Sequence, residues 1–461
     1  MKLRNYLPGL GAALVLTAAL TGSAMAAEAP AGISVQLDGK NLTFTDAVPQ
    51  ARDNRTFLPF RAVFEAMGAV VTNDGNVITA TRDGKTLTMT VGSATATLEE
   101  NGETTTITMD VAPYVDSTTW RTYVPVRFAA QAFGCNVGWD QEAMTAVIVD
   151  VDHLLGDTTY ELMDNYFAYL QTQTQSSNQS MTGDVDLSLF LDSSLTGAED
   201  VDMAVTGSLT GVSSQTAAQV KMDLDLSDLA GLAAGDPASM TAEELKALEE
   251  TLANLELEVR MDLDKGTYYM YLPFAAGEGE SGWYSMDLNG LFAQSGLDMA
   301  QLMTMAQQNI TMSDVLRQSL SAIEITDSAT GYAMLTQSAD VFAKLYGDDA
   351  FTKSGNTYTA TYTESADGAD ITCTTTLTAQ GDDIVSMTMK MSATAEGMEM
   401  GMDMTASAAE SNVAMTMDLG GLITLDLSVN MDMSATTQLP EIALPAGVNA
   451  TPIDLGISPA A

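Results

Sequence analysis

Apolar and polar positions alternate with period two through much of this chain. That pattern predicts strands with one buried and one wet face. Val185, Leu187 and Leu189 alternate with Asp184, Asp186 and Ser188, and Met222, Leu224 and Leu226 alternate with Lys221, Asp223 and Asp225. Leu255, Leu257, Val259, Met261 and Leu263 form one longer run, and Met398, Met400, Met402 and Met404 form another. Met415, Met417 and Leu419 follow, then Leu425, Leu427, Val429, Met431 and Met433. These runs predict strands of roughly 8 to 10 residues in a broad antiparallel sheet. Helical periodicity interrupts them. Thr241-Ala242-Glu243-Glu244 opens a helix, with Thr241 or Met240 near the cap, and sets Leu245, Leu248 and Leu252 on one side. Further helices are expected at about 298–308, from Ser313-Asp314 with Val315, Leu316 and Leu320, and at about 338–345. Their apolar faces are expected to cover part of the sheet.

The first third of the chain has a different grammar and contains an internal repeat. Arg55-Thr56-Phe57-Leu58-Pro59-Phe60-Arg61 leads through a short apolar stretch to Gly68. Arg121-Thr122-Tyr123-Val124-Pro125-Val126-Arg127 leads in the same way to Gly134. Pro59 and Pro125 suit a first helical turn because they bring no amide hydrogen. Gly68 and Gly134 suit the left-handed position that stops a helix. Between them Val63, Phe64 and Met67, and then Phe128, Ala132 and Phe133, form apolar faces. Asp38-Gly39 and Asp83-Gly84, each flanked by alternating apolar residues, predict hairpin turns. Arg55, Arg61, Arg121 and Arg127 read as holding helix ends and loops by pairing with carboxylates or carbonyls, in preference to forming an anion clamp.

On these residues, the doubled Arg-Thr-aromatic-Leu/Val-Pro-x-Arg, the short helix, the glycine and the following Asn/Trp-Asp, the stretch of about 33–151 resembles the N-terminal, stalk-like domain of copper amine oxidases. The resemblance implies a five-stranded antiparallel sheet wrapped around a helix, with a supporting, non-catalytic role. The first copy departs from the pattern with Asn73 where the second has Trp139. The oxidase reaction of that family is not expected here. It requires three copper histidines and a modified tyrosine, and the only histidine is His153. Further on, Gly266-Thr267-Tyr268-Tyr269-Met270-Tyr271 and Gly282-Trp283-Tyr284-Ser285-Met286-Asp287 resemble the paired strands of exported, lipoprotein-like domains. Those domains are in turn similar to half-barrel lipid and lipoprotein carriers.

The expected organisation is a signal peptide at 1–26, the repeat domain at 27–154, a helical and polar linker at 155–180 and a β-rich half-barrel-like domain at 181–461. The leader reads from Lys2 and Arg4, an apolar run to about Leu20, and small residues at Ala24 and Ala26. It is too short to span a membrane comfortably, so no stable transmembrane anchor is expected in the mature chain. Charge divides the chain at the same boundary. Residues 27–154 carry 8 basic and 16 acidic side chains, and residues 155–461 carry 8 and 45. A net charge of −43 argues against a nucleic-acid partner.

Little in the sequence supports catalysis. There is no nucleophile elbow, metalloprotease helix or phosphate loop. His153 sits in a polar stretch with no nucleophile pattern. Asp184-Val185-Asp186 and the stretch from Glu364 to Asp370 lack the twelve-residue calcium loop. Thirty methionines raise the question of a soft metal. Side chains two apart on one strand lie roughly 6–7 Å apart, too far to converge on an ion, so the methionines read as an adaptable apolar lining. Cys135 and Cys373 leave two readings open, an interdomain disulfide and two separate buried thiols.

The sequence therefore predicts an α+β protein. A small antiparallel sheet wrapped on short helices precedes a large, curved, mainly antiparallel sheet with covering helices. The expected function is that of an exported, non-enzymatic binding or scaffold protein of the bacterial cell surface, with no cofactor and no metal site. An apolar small molecule or an envelope component is the expected partner. An envelope-acting hydrolase using a carboxylate pair and a purely structural or adhesive surface protein are the alternatives.

Overall fold

A computed structural model describes residues 32–52, 55–100, 102–175, 178–196, 200–230, 241–273, 276, 281–288, 311–366, 368–395 and 398–453. The leader expected at 1–26 and the helix expected at 298–308 lie outside the described residues. The chain forms two compact units. One combines the residues up to Thr158 with Ser313–Ala343, and the other combines Thr159–Met312 with the residues from Lys344 onward.

In the first unit the period-two stretches form three sheets. Val70–Asp74, Val77–Arg82, Lys85–Thr90, Thr95–Glu100 and Glu103–Thr108 make a five-stranded antiparallel meander in chain order. Cys135–Asp140, Thr145–Asp150, Ser34–Leu37 and Lys40–Asn41 make a second sheet, in which Ser34–Leu37 runs parallel to Thr145–Asp150. Tyr114–Val115, Thr122–Pro125, Arg55–Pro59 and Gln50–Arg52 make a third. Asp38-Gly39 and Asp83-Gly84 are two-residue turns with positive φ at both positions, closing Leu37 on Lys40 and Arg82 on Lys85. This geometry matches the right-handed twist of the strands that it joins.

The repeat folds twice as strand, helix and strand. The helices are Phe60–Ala66 and Val126–Gln131. Pro59 and Pro125 occupy the N-cap, one residue ahead of the expected first turn, where each ends a strand with extended ψ. Gly68 and Gly134 end the helices at φ +82° and +77°. The Gly68 and Ala69 amides donate back to the carbonyls of Glu65 and Phe64 and satisfy the last turn. The two copies do not build separate cores. Phe60, Val63, Phe64 and Met67 of the first pack in one cluster with Ala130, Phe133 and Cys135 of the second. The rings of Phe64 and Phe133 meet edge to face at 5.6 Å.

The segment Ser313–Ala343 completes this unit, although its helices are expected from sequence on the large sheet. The Asn136 amide group donates to the carbonyls of Leu320 and Ile323, both at 2.8 Å. It thereby caps carbonyls that the end of helix Met312–Ala322 leaves without intrahelical donors. The Trp139 amide donates to the Ile325 carbonyl at 3.2 Å. Ser328 donates to Asp140 from its amide at 2.8 Å and from its hydroxyl at 2.6 Å. The docked segment is thus held along the edge strand Cys135–Asp140 at Asn136, Trp139 and Asp140.

Burial alone would raise the Asp140 pKa. The amides of Ala143 and Ser328 and the Ser328 hydroxyl outweigh it and hold the carboxyl below the usual value. A depressed folded-state pKa contributes stability that is present above the unfolded value of about 3.9 and is lost as pH falls through the folded value. The protection factors of residues 323–330, that is, their exchange rates relative to the intrinsic rate at each pH, are therefore expected to be high at pH 6 and to fall below about pH 4. In Asp140→Asn this pH dependence flattens.

Among the described residues of the second unit fourteen strands form one sheet. Its order is Thr352–Ser354, Thr357–Ala366, Ala369–Gln380, Asp383–Ala395, Met398–Ser407, Glu410–Leu419, Ile423–Thr436, Asn178–Leu191, Val201–Ser213, Ala217–Asp225, Leu255–Asp262, Thr267–Tyr271, Trp283–Asp287 and Thr451–Pro452. Every pairing is antiparallel except that of Trp283–Asp287 with Thr451–Pro452. Strands reach 14 residues, longer than the alternation alone suggested. Residues 155–180, read from sequence as a link, hold helix Glu161–Gln175. Its Met163 and Tyr166 are buried, and the Tyr166 hydroxyl donates to the Ala406 carbonyl at 2.9 Å. Thr241 caps helix Ala242–Leu252 in a complete capping box with Glu244.

Candidate functional site

The register of the large sheet turns separate alternating runs into one surface. Tyr362, Cys373, Met391, Met402, Met415, Leu427, Leu187 and Val205 lie opposite one another on eight successive strands. A parallel row carries Ile371, Ala393, Met400, Met417, Leu425, Leu189 and Met203. The intervening residues, among them Asp184, Asp186, Lys390, Asp403 and Asp426, project to the opposite face, where Lys390 pairs with Asp403 at 3.0 Å.

Burial along the apolar face is graded. Cys373, Leu377, Met387 and Met389 are buried, and the Tyr346 hydroxyl donates to the Met389 sulfur at 3.9 Å. Burial pushes the Tyr346 hydroxyl well above its usual pKa, and the neighbouring Cys373 adds to the shift. Further along, Met391, Met402, Leu427 and Leu187 are only half buried. Met398, Met400 and Met415 stand 44%, 45% and 38% exposed. A contiguous apolar surface of this kind, backed by a rigid sheet, is suited to taking up another apolar surface.

The residues singled out in the repeat serve its architecture. Arg61 pairs with Glu65 one helical turn on, at 3.0 Å. Arg121 reaches Asp46 at 2.6 Å, and Arg55 pairs with Asp110. All three pairs lie at the surface, as does Arg127. The carboxylates that hold Arg55, Arg61 and Arg121 are three different residues, Asp110, Glu65 and Asp46. Arg82, which sequence reasoning did not single out, is the more buried cation of this unit. It pairs with Asp150, and that carboxylate also accepts from the His153 amide to cap helix Val151–Leu155. The exposed His153 ring lies 3.2 Å from Asp38.

The disulfide considered between Cys135 and Cys373 is not formed, and each is a free, buried thiol. Cys135 lies in the core of the first unit and Cys373 in an inner strand of the second. Burial raises the pKa of both thiols, which leaves them protonated and unreactive. Among the described residues no group of three or more His, Cys, Asp or Glu side chains is placed to hold a metal ion. No described helix is long and apolar enough to cross a membrane.

The first unit is thus an α+β domain built twice from one strand–helix–strand motif, the two helices sharing one core cluster. Residues 36–148 match the copper amine oxidase N-terminal domain, which is a non-catalytic domain. No curated protein matches the chain.

Proposed function

We propose that this chain is an exported, non-enzymatic binding protein of the bacterial cell surface, in which the repeat domain supports the large sheet and the apolar face of that sheet receives an apolar ligand. The observation that carries this reading is the unbroken apolar row from Tyr362 to Val205, half buried over its central strands. A sheet built only for stability would bury such a row under a second layer, at a gain of about 25 cal/mol for each Å² removed from water. Methionine at many of these positions suits a surface that adapts to ligands of different shape. Support for export comes from the basic, apolar and small-residue order of residues 1–26.

A fluorescent long-chain fatty acid is the direct probe. The full chain is expected to bind it with a blue-shifted, saturable signal. Leu427→Asp places a charge between Met415 and Leu187 and is expected to weaken binding about tenfold or more, which corresponds to 1.4 kcal/mol or more. Equal binding by the wild type and the folded variant would remove this reading.

A further inference from the structure

We propose that the methionines facing one another across three adjacent strands of the large sheet form a thioether site for a soft monovalent cation, of which Cu(I) is the biological example. The site centres on Met402. On one side it faces Met391 and on the other Met415, while Met400 faces Met417 in the neighbouring row.

Cross-strand register supplies what a single strand cannot. Directly opposed side chains have Cβ atoms about 4.5–5.5 Å apart. Methionine adds three rotatable bonds and a polarisable sulfur at the end of an unbranched chain. Three sulfurs from adjacent strands can therefore turn toward one ion without moving the backbone. They are also accessible, since Met400 and Met415 are 45% and 38% exposed and Met391 and Met402 are half buried.

The donor set selects the ion. Glu399, Asp403, Thr416 and Asp418 alternate onto the opposite face. The site therefore offers uncharged sulfur and no carboxylate, which disfavours calcium and magnesium. Zinc is held by thiolate, imidazole and carboxylate ligands, and the Cys373 thiol opposite Met391 is buried and held protonated. Soft thioethers favour Cu(I). The bound ion is monovalent and its ligands are neutral, so little charge is introduced into an apolar surface. The acids on the far side of the sheet offset it. Binding involves no electron transfer, because the metal enters and stays as Cu(I). The inference does not depend on the apolar-ligand reading.

The test is an anaerobic titration of the full chain with Cu(I) in competition with bicinchoninate, followed by X-ray absorption of the loaded protein. One tightly held equivalent with a sulfur-only shell is expected. The double variant Met402→Leu, Met415→Leu preserves apolar volume and should hold Cu(I) about tenfold or more weakly, with circular dichroism unchanged. Cys373→Ala should hold the metal as the wild type does. Cu(I) left with the chelator, a nitrogen or oxygen shell, undiminished affinity in the double variant, or loss of the metal on changing Cys373 would each overturn the site.

Discussion

Gly138→Val is expected to release the segment 320–330 from the first unit and to lower its stability by about 3 kcal/mol. A Cβ at Gly138 would lie 2.3 Å from the Ile325 carbonyl oxygen and 2.4 Å from the Ile325 Cβ. Backbone is on one side of that clash, so a change of rotamer cannot relieve it. The segment would have to move, and three kinds of contact would go together. Asn136 would lose its two carbonyls, the Trp139 amide its acceptor, and Asp140 its serine. The buried Asp140 carboxylate would then be left poorly compensated. Limited proteolysis reads the outcome directly. Wild type should resist cleavage between residues 320 and 330, and the variant should be cut there first. A variant with unchanged melting temperature and protection would show that the segment does not depend on this edge.

Phe64→Ala is expected to cost 3–5 kcal/mol, within the range for an aromatic removed from a packed core. Phe64 is fully buried. Its ring lies 4.7 Å from that of Phe60 on its own helix and 5.6 Å from that of Phe133 in the other copy. Truncation opens a cavity at the seam of the two repeats, where neither helix can collapse without leaving its own strands. Urea unfolding followed through the near-ultraviolet signal should show a lower midpoint at unchanged slope. A loss below about 1 kcal/mol would mean that the seam repacks.

The two copies also show how far the sequence could be read. Gly68 and Gly134 stop their helices at positive φ, because a left-handed residue is a local requirement and glycine meets it without strain. The hairpins at Asp38-Gly39 and Asp83-Gly84 were legible for the same reason. The strands that follow the helices look equivalent in sequence but are not equivalent in the fold. Asn136, Gly138 and Asp140 hold a segment more than 180 residues away in sequence. Their counterparts Val70, Thr72 and Asp74 are not buried in this way, and Val70 is 69% exposed. The glycine at 138, where the first copy has Thr72, was the one local sign that another backbone approaches there.

The candidate site was legible as faces and not as a surface. Alternation in Met398–Met404 determined that four thioethers share one side of a strand, and by itself that spacing argued against a metal. Which strand lies alongside, and at what register, brought Met391 and Met415 opposite Met402.

The sequence by itself determined the elements, their buried faces, the two helix stops and the excess of acid on the wet side of the sheet. These depend on neighbours within a few residues, and chain geometry of period 2.0 or 3.6 expresses them directly. Only the tertiary structure decided that two repeats share one core, that Ser313–Ala343 joins the first unit, that each thiol is free and buried, and that the apolar rows align across the sheet. Those outcomes depend on contacts between residues far apart in the chain, where a shift of one residue would send every side chain to the other face.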